Sequence, residues 1–168
     1  MAFADDVYPW LVFLHVFGVF VFLLAHGVSA GVSFRLRKER NYERMRALLD
    51  LSASSYTIMI VGFLLLLATG SILGVLGGWW RQAWFWVALA VFFAITFAMT
   101  PLAARRYNKV RRALGLRVRF QSKKERSAPP PAEADIEPIL SGVRPLAVAG
   151  IGTGGIAVIL WLMMFKPF

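Results

Sequence analysis

The sequence predicts an all-α membrane protein, four transmembrane helices in a compact bundle. Three observations predict it. Four runs contain no charged residue: 7–34, 51–80, 82–104 and 145–165. Each reaches the roughly 20 residues that a helix needs to cross about 30 Å of hydrocarbon. Sixteen of the nineteen Lys and Arg residues fall in two blocks, 35–46 and 105–126, and each block follows an apolar run directly. Small residues recur four apart within every run.

Backbone polar groups in lipid must bond within their own segment, so each run is expected to be a helix. The spans are placed at about 8–34, 52–78, 83–104 and 145–165. The first is not a cleavable leader: it opens on the acidic "MAFADD" and is too long for such a core. Asp5 and Asp6 suit an outer end. The chain has no cysteine, which excludes disulfides, thiolate metal sites and thiol chemistry.

Orientation follows from the two basic blocks, which the positive-inside rule assigns to the cytoplasm. Both termini are then extracytoplasmic. "GGWWRQAWFW" carries a single charge and fits the outer interface, with the ring nitrogens of Trp79, Trp80, Trp84 and Trp86 toward water. Residues 35–51 mix Leu36, Met45, Leu48 and Leu49 with charges. They fit either a short amphipathic surface helix or a solvated loop. "SAPPPAEADIEP", within the 105–138 loop, reads as an extended linker that leaves the fourth span loosely attached.

The net charge of +10 does not imply nucleic acid, because no folded reader domain accompanies it. Anionic lipid headgroups are the expected partners, through Arg105, Arg106, Lys109, Arg111 and Arg112. Helix packing is expected on the small residues Gly27 and Gly31, Gly70 and Gly74, Ala90 and Ala94, and Gly150 and Gly154. Such spacing lets backbones approach closely in lipid. One stripe can be left for other membrane subunits.

Polar chemistry inside the spans is sparse, with no Asp, Glu, Lys or Arg in any of them. Ion pathways and hydrolytic triads therefore lack their usual residues. His15 and His26 remain, both on the first span. Eleven residues turn a helix by 1100°, so the two rings point the same way, roughly 16 Å apart along the axis. One iron cannot take both. Each could hold a separate b-type haem with a methionine as second ligand; Met59 and Met99 lie at about the depth of His26, and Met163 toward the end occupied by His15. The simpler reading makes "HGVSAG" a close-contact face with His26 bonded to a neighbour's carbonyl. No cofactor is then expected, and haem b is the alternative.

"FLHVFGVFVFLLAHG", followed by the basic "RLRKER", resembles small bacterial multi-span proteins in which a leucine–histidine pair opens the first span. More distantly it is similar to copper-resistance CopD and HemJ-type porphyrin oxidase proteins. His15 holds the position of that pair, and the likeness covers about the first hundred residues. It implies a bacterial inner-membrane protein without an assigned activity. The residues favour a non-catalytic accessory or structural subunit of a larger respiratory or photosynthetic electron-transfer complex. A haem-binding redox protein using His15 and His26, or a HemJ-like oxidase, is the competing reading.

Orientation is directly measurable. A topology reporter fused after Phe168 should score extracytoplasmic, and one inserted at Ser127 cytoplasmic. A cytoplasmic Phe168 would mean that the fourth span does not cross or that the chain is inverted.

Overall fold

The computed structural model describes residues 2–99, 102, 104–118, 123, 127–132 and 135–167, with the backbone alone for residues 2–5. The side chain of Asp5 and the positions Arg119, Lys124 and Arg126 lie outside the described residues, as does part of the expected third span beyond Met99. The elements run α1 (Ala2–Lys38), α2 (Tyr42–Leu76), a 3-10 turn (Trp79–Arg81), α3 (Ala83–Met99), α4 (Arg105–Ala113), α5 (Ile136–Ser141) and α6 (Pro145–Phe165). No strand occurs among the described residues. Three stretches, Asp6–Lys38, Tyr42–Leu76 and Ile136–Phe165, are long and apolar enough to cross a membrane, and α3 is a shorter apolar helix.

α1 and α2 form an antiparallel hairpin. The joint is polar and local. The Glu39 carboxylate accepts the backbone N–H groups of Arg40 and Asn41, both at 3.0 Å, and the Asn41 side chain caps α2 by accepting Arg44 N–H at 3.1 Å. The basic stretch 35–51 is therefore neither a surface helix nor a solvated loop; it is the meeting of two long helices. Below the joint the register is constant. Ser29 bonds Ser55 at 3.2 Å, and His15 bonds Thr69 at 2.9 Å. Gly62 comes so close to Phe22 that an added Cβ would stand 3.0 Å from the Phe22 backbone nitrogen. Glycine is required there by the approach of two backbones.

At 1.5 Å per residue the 37 residues of α1 reach about 55 Å, well beyond the hydrocarbon. The excess at the basic end is covered by a second core. Leu36 and Val110 are fully buried there, with Met45, Leu49, Leu114, Ile136 and Leu140 packed around them. α4 and α5 supply half of this cluster. The proline-containing segment thus ends in an anchored helix, and the fourth span is not loosely attached. Arg111 donates to the Leu49 carbonyl, Arg112 to the Ala128 carbonyl, and Arg46 Nε to the Leu114 carbonyl at 3.3 Å. These three arginines are therefore tied to the chain's own backbone. Arg106 lies against Gly142, whereas Arg105 and Lys109 face outward. Burial pushes the Tyr107 phenol above its ordinary range, consistent with its packing on this cluster.

α6 pairs with α3 through Trp84, Ala88, Ile159 and Leu162. The expected small residues make contact on α2, at Gly70 and Gly74, but not on the other helices. Gly27, Gly31, Gly150 and Gly154 have nothing within 4 Å of where a Cβ would be, and Ala90 and Ala94 are exposed. On α3 and α6 the packed positions are instead Ala88, which lies in the core between them, and Gly152 and Gly155, where a neighbour's bulky group inserts: the His26 ring at Gly152 and Ile95 at Gly155. On α2, Gly70 admits His15, and Gly74 admits Trp80 and Phe85.

The tryptophans differ as well. Trp84 is 2% exposed and its indole donates to the Gln82 side chain. Trp86 donates to the Trp80 carbonyl at 2.9 Å, and Trp80 to the Ser71 carbonyl at 3.4 Å. In the turn, where Gly78 takes a left-handed φ of 68°, the Trp80 carbonyl is satisfied by an indole. The Lys166 ammonium lies 4.5 Å from the centre of the Trp79 ring and ties the end of α6 to the same turn.

Two outcomes follow. Leu36→Ala should lower stability by about 2–5 kcal/mol and speed proteolysis within 127–132, read by denaturation of the purified protein and by cleavage mapping. An unchanged midpoint would mean that the second core contributes nothing. The two backbone N–H bonds hold the Glu39 carboxyl below its ordinary range. Its contribution to the α1–α2 joint is complete above the ordinary value near 4.5 and disappears as pH falls through the lowered folded value. Glu39→Gln should flatten the acid limb of a stability–pH profile.

Candidate functional site: a cavity at the centre of the bundle

The α1–α2 hairpin and the α3–α6 pair do not close completely on one another. Between them, toward the tryptophan end, lies a cavity of about 100 Å³ bordered by residues of all four helices. Its wall is apolar and mostly aliphatic, with four aromatic rings set in it, those of Phe22, Trp84, Phe85 and Phe92. Trp84 packs flush with the α3–α6 core, and Phe92 stacks on Phe63 of α2 at 4.9 Å. Ring stacking across the two pairs thus props the cavity open at one end.

His15 is the polar group in this wall that reaches across helices. Its Nδ1 lies 2.9 Å from Thr69 Oγ1, and Thr69 Oγ1 in turn donates to the Leu65 carbonyl at 2.6 Å. Gly70, next to Thr69, leaves room for the ring: a Cβ there would stand 3.1 Å from His15 Cε1. Thr69, Gly70 and His15 therefore form one unit. Thr69 was absent from the sequence-based site, yet it is the only polar residue in "GFLLLLATG", a signal that could have marked it.

His26 faces elsewhere. Although eleven residues of helix place both rings on the same side, the neighbour changes with depth. His15 meets α2, while His26 stacks on Phe22 and presses its Nε2 against α6 at Gly152. No carbonyl or hydroxyl reaches that nitrogen, which is buried without a hydrogen-bond partner. The expected bond to a neighbour's carbonyl is thus not made, because the backbone groups of α6 near Gly152 are used within the helix. An added Cβ at Gly152 would stand 2.4 Å from Nε2, so the α6 backbone occupies the place a metal ligated there would take.

Of the methionines considered as second ligands, Met163 borders the cavity with His15, while Met59 and Met99 do not. Among the described residues no group of three His, Cys, Asp or Glu side chains is arranged to hold a metal ion. The arrangement can accommodate a small apolar body and offer it one imidazole.

Comparison with protein-family models, curated proteins and solved structures gives no match for this chain.

The His26–Gly152 contact makes a reciprocal prediction. Gly152→Val should overpack the α1–α6 seam and lower stability by about 1–3 kcal/mol. His26→Ala should recover most of that loss in the double variant, a coupling that two thermal midpoints and their cycle will measure. Additive losses would place the two residues apart.

Proposed function

We propose that the chain is a four-span accessory subunit of a bacterial inner-membrane assembly, with both termini extracytoplasmic and no catalysis of its own. One observation carries the reading. The small-residue pairs Gly27/Gly31 on α1, Gly150/Gly154 on α6 and Ala90/Ala94 on α3 turn away from the chain's own contacts. In lipid, such surfaces favour close approach by another helix over packing against acyl chains. The chain satisfies its own packing elsewhere, at Gly62, Ala88, Gly152 and Gly155, and leaves these pairs to partner subunits.

The second core supports the same role at the membrane surface. Arg105, Lys109 and Arg112 line one side of a cleft of about 590 Å³ whose other wall is Ala128, Pro129 and Pro131. Of these, the exposed Arg105 and Lys109 attract anionic headgroups at about 1 kcal/mol each. A b-type haem is the second reading, favoured by the orphaned Nε2 of His26. It requires α6 to withdraw from that nitrogen. A Soret band in the purified protein that disappears in His26→Gln would establish it.

Native gels of membranes provide the test of the subunit reading. The wild-type chain should migrate within a larger assembly. Gly31→Leu and Gly154→Leu should release it as the bare protein while leaving its own thermal midpoint within about 0.5 kcal/mol of the parent. Migration of the wild type as a bare monomer would refute the proposal.

A further inference from the structure

The protonation state of His15 follows from its partner. A threonine hydroxyl has one hydrogen, and Thr69 gives it to the Leu65 carbonyl at 2.6 Å. The 2.9 Å contact between His15 Nδ1 and Thr69 Oγ1 is therefore an N–H donated by the imidazole. A neutral ring protonated at Nδ1 keeps its lone pair on Nε2. His15 borders the central cavity and in this tautomer carries its acceptor lone pair on Nε2.

The rest of the wall defines what that acceptor can take. Phe22, Trp84, Phe85 and Phe92 offer ring faces and edges, and Ala88 leaves the space between them. Water is a poor occupant, since it needs two to four polar partners and the wall offers it only His15 and Ser71. An acyl chain would leave Nε2 unpaired in an apolar surround, at a real energetic cost. A flat ring bearing an O–H can pack against the four aromatic side chains and give its hydrogen to the lone pair. The volume of about 100 Å³ is of the order of the roughly 150 Å³ engineered cavity that takes benzene, and suits one ring. Leu160 borders the cavity and is 41% exposed on the outer surface of α6, so a substituent on the ring can leave toward the lipid.

We propose that the cavity between the two helix pairs binds the hydroxylated ring of a membrane-soluble phenol, with His15 Nε2 accepting the ring O–H and Trp84 and Phe92 flanking the ring. The same chemistry reaches the site from two sources: a free phenol, or the reduced head of a tailed quinol lipid. This inference is independent of the subunit reading.

The test uses the full chain in lipid nanodiscs and follows tryptophan emission, to which Trp84 contributes from the cavity wall. Four probes are titrated: p-cresol, toluene, decylhydroquinone kept reduced, and decylbenzoquinone. The O–H donors should bind saturably and about tenfold more tightly than their counterparts without a donor, toluene and the oxidised quinone. A tighter tailed quinol assigns the lipid source, and equal binding of p-cresol assigns the free phenol. His15→Phe should erase the tenfold preference while retaining the weaker binding, and His15→Gln, which keeps an acceptor, should restore part of it. Ala88→Leu should abolish binding of all four probes. The proposal is overturned by saturable binding of none, by equal binding of p-cresol and toluene, or by a preference that survives in His15→Phe. If His15→Phe does not fold, Ala88→Val decides: wild-type affinity for the O–H donors in that variant places them outside the cavity and overturns the proposal.

Discussion

The length of the first two helices sets the terms for everything else. A bilayer offers about 30 Å of hydrocarbon, and α1 and α2, at 37 and 35 residues, rise well past it. Because Glu39 and Asn41 terminate one helix and start the other within three residues, both overhang at the same end. That overhang carries Leu36, Met45 and Leu49 into water, where they have to be covered. α4 and α5 do this, and in doing so they fix where α6 begins. The position of Gly152 against His26, and of Met163 beside the cavity, depends on a core built outside the membrane.

The sequence made the apolar helices legible because charge-free runs of that length have few alternatives in lipid. The basic blocks were legible as loops but not as packed structure. Leu36, Val110 and Ile136 each stand among charged residues, and nothing local shows that three separate segments converge. Arg111 and Arg112 read as headgroup ligands for the same reason, since carbonyl acceptors on other segments carry no sequence mark. Trp84 read as an interfacial ring, yet the Gln82 side chain and the core around Ala88 take it inside.

The candidate site was half legible. His15 stood out as an imidazole in an apolar run, and its level in the bilayer followed from counting. What it faces did not, because two histidines on one side of one helix meet different partners when the neighbouring helix changes with depth. Outside α2, the stripes of small residues misled for a related reason. Spacing of four marks a surface that a backbone can approach, but whether the approaching group belongs to the same chain depends on which helices are adjacent. Gly152 and Gly155, three apart, were chosen by the ring of His26 and the side chain of Ile95.

The shared outer core also bears on how the protein is made. α1 and α2 can pair as soon as both have left the ribosome, because their joint is three residues long. α3 cannot do the same. Its partner α6 lies beyond the basic block and the proline segment, so α3 has no α6 to pair with until the chain is nearly finished. α5 emerges just ahead of α6 and seats Ile136 and Leu140 against segments already synthesised. The last helix thereby enters next to its groove. That core would hold the start of α6 beside the helices it packs on while the rest of the chain is being made.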